Sequence, residues 1–124
     1  MLEPTTLSGR VIRAAITVHR TLGGGLLESA YLHCLCIELE EAGIPYRTQV
    51  PMPVTYRGRT LPLGFRIDLL VNGSIIVEAK AVASLLPVHE AQLLTYLRLS
   101  GIRIGLLMNF HALRLKDGLK RVVV

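Results

Sequence analysis

The sequence predicts an α/β fold, a mixed sheet flanked by helices, and three observations predict it. Apolar residues recur at helical spacing in two stretches near the start of the chain and in a third around residue 90. Between them, residues 44–80 are β-rich and punctuated by prolines, Gly58 and Asn72-Gly73. After the third helical stretch the strand signal returns. The resulting order is helix, helix, three strands, helix, strand and a terminal hairpin, which needs a sheet with helices on its faces. At 124 residues, 1–124 is expected to form one domain, large enough to bury a core without disulfides.

From Thr5 to Arg20 apolar residues recur at Leu7, Val11, Ala14, Ala15 and Val18, a helical stripe that Thr5, Thr6 or Ser8 can cap. His19, at the end of that stripe, suits the helix C-terminus better than a metal. Gly23-Gly24-Gly25 then breaks the helix. A glycine-rich loop before a helix can cradle phosphate, but no Lys-Ser or Lys-Thr follows, so a tight helix–helix connection is the simpler account. The second helix is expected over residues 26–42, stopping at Gly43. Cys34 and Cys36, the only cysteines, point to different sides of it and read as core thiols in a reducing compartment.

Residues 44–56 contain Pro45, Pro51 and Pro53 and read as an irregular or edge strand. The chain turns at Tyr56-Arg57-Gly58-Arg59, and residues 61–71 and 74–80 form a hairpin. Pro87 opens a third helix that runs to about residue 100 before Gly101. Its core stripe is Leu93, Leu94 and Leu97. His89, Gln92 and Tyr96, three and four apart, line another side. Residues 102–109 make a buried-type strand, and residues 113–116 and 119–123 read as a terminal hairpin around Asp117-Gly118. No internal repeat or low-complexity segment interrupts this order.

The chemistry concentrates in residues 64–80, where the only charges are Arg66, Asp68, Glu78 and Lys80. Strand side chains alternate, so Glu78 and Lys80 share one face while Ile75, Val77 and Ala79 take the other; Arg66 and Asp68 likewise share a face. Loop length decides whether the two pairs meet, because a one-residue change of register turns a strand over. A two-residue Asn72-Gly73 turn would set Val71 opposite Ser74 and leave the carboxylates on opposite faces. A three-residue loop sets Val71 opposite Ile75, Asp68 opposite Glu78 and Arg66 opposite Lys80, and that loop or an equivalent bulge is expected. Two facing carboxylates beside an ammonium suit a divalent cation, since Mg²⁺ binds through one or two carboxylates and keeps its waters. The competing reading is two cross-strand ion pairs, Arg66 with Glu78 and Asp68 with Lys80, contributing roughly 0.2–1 kcal/mol each.

Charge and composition narrow the partners. Lys and Arg number 14 against 9 acids, giving a net charge of +5 and a pI near 9.7, and eleven of the fourteen are Arg. Such a surface attracts polyanions, and the arginine fork grips phosphate. Aromatic residues are few, at 5%, so no apparatus for base readout is visible. The early acid in Met1-Leu2-Glu3-Pro4 is unlike a signal peptide and no apolar run reaches spanning length, so a cytoplasmic location without membrane contact is expected. A hydrophobic share of 51% with mean hydropathy +0.47 suggests apolar surface covered by a partner or a second copy, and a homodimer is the default expectation.

Asp68 followed, after a hairpin, by Glu78-Ala79-Lys80 resembles the PD-(D/E)XK nuclease superfamily. Gly25-Leu26-Leu27-Glu28-Ser29-Ala30-Tyr31 is similar to the signature of its GxxExxY family, and Gln92-Leu93-Leu94-Thr95-Tyr96 to the QxxxY motif of the RecB-like branch. The match of order and spacing runs from about residue 7 to residue 123, with Ile67 standing where a proline often precedes the Asp. The resemblance implies a restriction-endonuclease-like αβββαβ core and a metal-dependent phosphodiesterase acting on nucleic acid, DNA in preference to RNA. It implies Mg²⁺ or Mn²⁺ on Asp68, Glu78 and Glu28, with the Ala79 carbonyl beside them. Lys80 would sit next to the attacking water, Gln92 would orient a water or a DNA phosphate, and Tyr31, Arg66 and Tyr96 would face the nucleic acid. The alternative from another class is a catalytically inactive nucleic-acid-binding or assembly module that keeps the fold. An Mn²⁺ titration separates the two, because only an active site should bind the ion and lose it in Asp68→Ala.

Overall fold

The computed structural model describes residues 6–124; Thr5 and the Met1 to Pro4 stretch lie outside the described residues. Of the candidate caps, Thr6 is used: its hydroxyl accepts the Gly9 N–H at 3.1 Å and opens α1 (Leu7–Leu22). That helix buries Val11, Ile12, Ala15 and Val18 and ends at Gly23, whose φ of 69° suits a residue without Cβ. Then follow α2 (Glu28–Glu41), β1 (Tyr46–Tyr56), β2 (Arg59–Val71), β3 (Ile75–Lys80), α3 (Pro87–Ser100), β4 (Ile104–Asn109) and β5 (Leu119–Val123). No helix among the described residues is long and apolar enough to cross a membrane.

The sheet runs β1-β2-β3-β4-β5, antiparallel everywhere except between β3 and β4. That parallel pair requires a crossover, which α3 supplies. Two cores result. One face packs Val11, Tyr31, Leu35 and Leu39 of α1 and α2 against Leu69, Val77, Ala79 and Met108. The other packs Leu93 and Leu97 of α3 against Ile67, Leu70, Ile76 and Leu107. This is the expected mixed sheet flanked by helices.

Strand β1 lies at the sheet edge, as its prolines suggested, yet it pairs with β2 from Tyr46↔Val71 to Tyr56↔Arg59, with a register shift between Met52 and Val54. The expected terminal hairpin does not form. Leu115–Gly118 is a short 3-10 turn, and β5 pairs with β4 from Met108↔Leu119 to Ile104↔Val123. An isolated two-stranded hairpin is marginal in water, whereas β5 satisfies the open edge of a fully buried strand. Gly118 permits the turn, since a Cβ there would lie 2.8 Å from the Asn109 carbonyl oxygen.

Candidate active site

The β2–β3 hairpin takes the longer loop. Asn72 and Gly73 adopt φ of 52° and 65°, the Ser74 N–H donates to the Val71 carbonyl at 3.0 Å, and the strands pair Val71↔Ile75 through Leu69↔Val77. Continued one step, that register sets Asp68 across from Glu78, and the Asp68 N–H indeed points at Glu78 Oε1, at a long 3.4 Å. Glu78 is only 5% exposed while Asp68 and Lys80 are half-buried, so the pair joins a buried carboxyl to one that solvent can reach.

Asp68 also marks a change of face along β2. Leu69 and Val71 belong to the α1/α2 core, but Phe65 and Ile67 belong to the α3 core, which strict alternation forbids. Across the ladder the pairing runs Thr48↔Leu69 and Val50↔Ile67, with Gln49 between them at φ 51°. A left-handed residue opposite Asp68 therefore accompanies the twist that presents this carboxylate.

The electrostatics follow from burial. The Glu78 carboxyl is pushed up to about 8, first by loss of solvent, then by the charge and side-chain hydrogen bonding of Asp68; the Asp68 N–H and the Lys80 ammonium pull partly the other way. Tyr96 on α3 feels the same pair: its hydroxyl pKa is raised by burial and then by the charges of Glu78 and Asp68. Its ring stacks on Phe65 with centroids 4.2 Å apart, closing the pair on the α3 side. No ion pair joins Arg66 to Glu78 or Asp68 to Lys80 among the described residues, so the competing reading of two cross-strand bridges finds no contact here.

The remaining residues are placed differently. Glu28 is exposed at the first residue of α2, beside Ala81 in a shallow depression just past the end of β3, on the opposite layer from Tyr96. Gln92 is exposed one turn before Tyr96, and Arg66 is exposed on β2. Tyr31 does not face any nucleic acid. It is 0% exposed, stacks on Phe110 at 4.6 Å, donates its hydroxyl to the Gly23 carbonyl at 2.6 Å and accepts from the Leu26 N–H at 3.1 Å. Its position holds the glycine loop that leads to Glu28.

Asn109 was not read from the sequence as part of the site. It ends β4 beside Lys80, is 3% exposed, and its amide accepts from the Val82 and His111 N–H groups at 3.1 and 3.2 Å while donating to the Val82 carbonyl at 2.9 Å. These bonds fix the chain that leaves Lys80. The available signal was a single amide closing an otherwise apolar strand, Leu106-Leu107-Met108-Asn109.

No group of three His, Cys, Asp or Glu side chains gathers around one point among the described residues. Asp68 and Glu78 alone nevertheless fit a hard divalent cation. They offer oxygen donors, and the burial of Glu78 and its nearness to the Asp68 charge, which together raise its pKa, are what a cation would offset. Compared with known families, residues 5–122 match the family model described as the PD-(D/E)XK nuclease superfamily. Comparison with curated proteins and with solved structures returns no match.

Proposed function

The chain belongs to the PD-(D/E)XK nuclease superfamily, and from that premise we propose that it is a metal-dependent nuclease of the GxxExxY branch, acting on DNA in preference to RNA. The observation that carries this reading is the meeting of Asp68 and Glu78 across β2 and β3, with Lys80 two residues farther along the Glu78 face. Asp68 and Glu78 would hold Mg²⁺ or Mn²⁺, with the Ala79 carbonyl beside them. Such an ion supplies Lewis acidity and a water of lowered pKa at a phosphodiester. Lys80 offers a cation to the charge that develops on the phosphoryl oxygens. Glu28, the first residue of α2 and beside Ala81, would serve the water side of the site, Gln92 and Tyr96 the α3 side, and Arg66 a phosphate along the strand. The apolar side chains left exposed, Leu27, Val88 and Leu99 among them, support a homodimer. A cytoplasmic location accords with the free thiols Cys34 and Cys36.

A catalytically idle nucleic-acid-binding module is the second reading, favoured by the separation of Glu28 from the other acids. Incubation of the protein with single-stranded, double-stranded and branched DNA and RNA, with Mg²⁺ or Mn²⁺, decides between them. Cleavage is expected from the wild type and a loss of about 10²-fold or more in Lys80→Ala. Identical behaviour of the two proteins on every substrate would remove the enzymatic reading.

A further inference from the structure

On the α1 side of the molecule, a cleft of about 640 Å³ opens between the end of α1, the Gly23-Gly24 loop and residues 111–116. Ile16, Ala112, Leu113 and Leu115 give it apolar walls, and Arg20, His111, Arg114 and Lys116 stand around it. No acid lines it. Arg114 is engaged by Asp117 at 3.2 Å, but the side chains of Arg20 and Lys116 make no hydrogen bond or ion pair among the described residues. These two cations are far apart in the chain and only the fold brings them to one opening.

The cleft is preformed. His19 Nε2–H donates to the Ala112 carbonyl at 2.8 Å, clamping the loop to α1, and the Tyr31 hydroxyl holds the Gly23 carbonyl from the other side. A cavity of a few hundred Å³ with apolar walls and a few convergent charged groups is the usual form of a small-ligand site. Two unpartnered cations, one of them an arginine, select a phosphate over a neutral ligand, and the walls accommodate the flat, less polar part of the same molecule.

We propose that this cleft is a nucleoside-phosphate site, with the phosphate on Arg20 and Lys116 and the base against the apolar walls. Its position gives it a relation to Lys80. The Phe110 N–H donates to the Lys80 carbonyl at 2.9 Å, and the next residue, His111, already lines the cleft. A nucleic-acid strand at the Asp68/Glu78 pair would thus find a seat for a terminal nucleotide. That assignment rests on the nuclease reading, whereas a free mononucleotide would use the same chemistry without it.

The test is binding in EDTA, where cleavage plays no part. AMP, adenosine, and short oligodeoxynucleotides with a 5′-phosphate or a 5′-hydroxyl are titrated by calorimetry or NMR into the full chain and the Arg20→Gln/Lys116→Gln variant. Phosphorylated ligands are expected to bind about tenfold or more weakly in the double variant, and to exceed adenosine by a similar factor in the wild type. A phosphorylated oligonucleotide binding well above AMP identifies a strand end as the source; equal binding identifies the free nucleotide. If neither phosphorylated ligand weakens in the double variant while circular dichroism shows it folded, the inference is overturned. Binding that survives in a wild-type protein unable to cleave any substrate would sink the nuclease reading alone.

Discussion

The side chain with the most unusual environment is Glu78. Its carboxyl holds a proton up to about 8 in the folded protein, against 4.5 in an exposed one, because burial and Asp68 both oppose its charge. The folded state therefore binds more protons than the unfolded chain between those values. This contribution to stability is complete below the lower value and is lost as pH rises through the upper one. In EDTA, the thermal midpoint of the wild type should fall between about pH 5 and pH 9 more steeply than that of Glu78→Gln, whose amide cannot ionise. Parallel curves from differential scanning fluorimetry would refute it. Asn109 yields a second test at this scale. Asn109→Ala removes the partner of the Val82 N–H and carbonyl and of the His111 N–H, and should cost about 1–3 kcal/mol in urea denaturation for these part-buried groups. What the sequence could reveal differs between these two. The Asp68–Glu78 meeting was legible as one of two registers, because alternation fixes which residues share a face and the loop after Val71, which proved the longer one, decides whether they meet. Asn109 and the burial of Tyr31 depend on what packs against them from distant segments, and no local pattern encodes that.

Elements bring the site into register through close approaches. α3 lies directly on β4 because Gly105 has no side chain: a Cβ there would stand 2.8 Å from Leu93 Cδ1, and Leu93 is fully buried. Gly105→Ala should therefore push α3, and Tyr96 with it, off the sheet at a cost of about 1–3 kcal/mol, measurable as a lowered urea midpoint at unchanged m-value. Gln49 is the opposite case. Its φ of 51° disfavours an L side chain, so Gln49→Gly should stabilise the protein by about 1 kcal/mol in the same measurement; a loss of stability would show that the Gln49 side chain contributes more than its backbone costs. Helix periodicity, the proline-marked edge strand and the crossover order were legible because they are local. The fate of residues 113–123 was not. Two strand-like runs around Asp117-Gly118 look alike whether they pair with each other or with β4, and the open edge of β4 decided it. The left-handed Gln49 was equally hidden, since nothing about a glutamine between Thr48 and Val50 announces positive φ.

Across the whole molecule the charge is unevenly spread, and this sets how a polyanion would approach. Residues 42–67 contain Arg47, Arg57, Arg59 and Arg66 and no acid, whereas Glu38, Glu40 and Glu41 crowd the end of α2 just before them. All four arginines lie on the β1–β2 ribbon, Arg57 and Arg59 on the part that leaves the body beyond Met52 and Phe65, where no residue from 53 to 64 is buried. Its tip is tight, with Arg57 and Gly58 at φ of 51° and 75° and Tyr56 paired to Arg59. Prolines at 51, 53 and 62 withhold N–H groups that a second copy would need to extend the sheet there. A two-stranded ribbon carrying cations and leading back to Asp68 would suit a groove about 12 Å wide, which admits such a ribbon. Contacts of this kind neutralise phosphates and release counterions, so each one steepens the fall of affinity with salt without favouring any sequence. Arg57→Gln and Arg59→Gln should accordingly weaken DNA binding alike on unrelated duplexes and each reduce the slope of log K against log salt by about 1. Fluorescence anisotropy in EDTA, from about 50 to 200 mM salt, reads both quantities while leaving cleavage aside. Because both arginines are exposed at a turn, thermal midpoints should not move. A slope unchanged in both variants would place the DNA path elsewhere, and the body of the molecule, not the ribbon, would then have to supply the phosphate contacts.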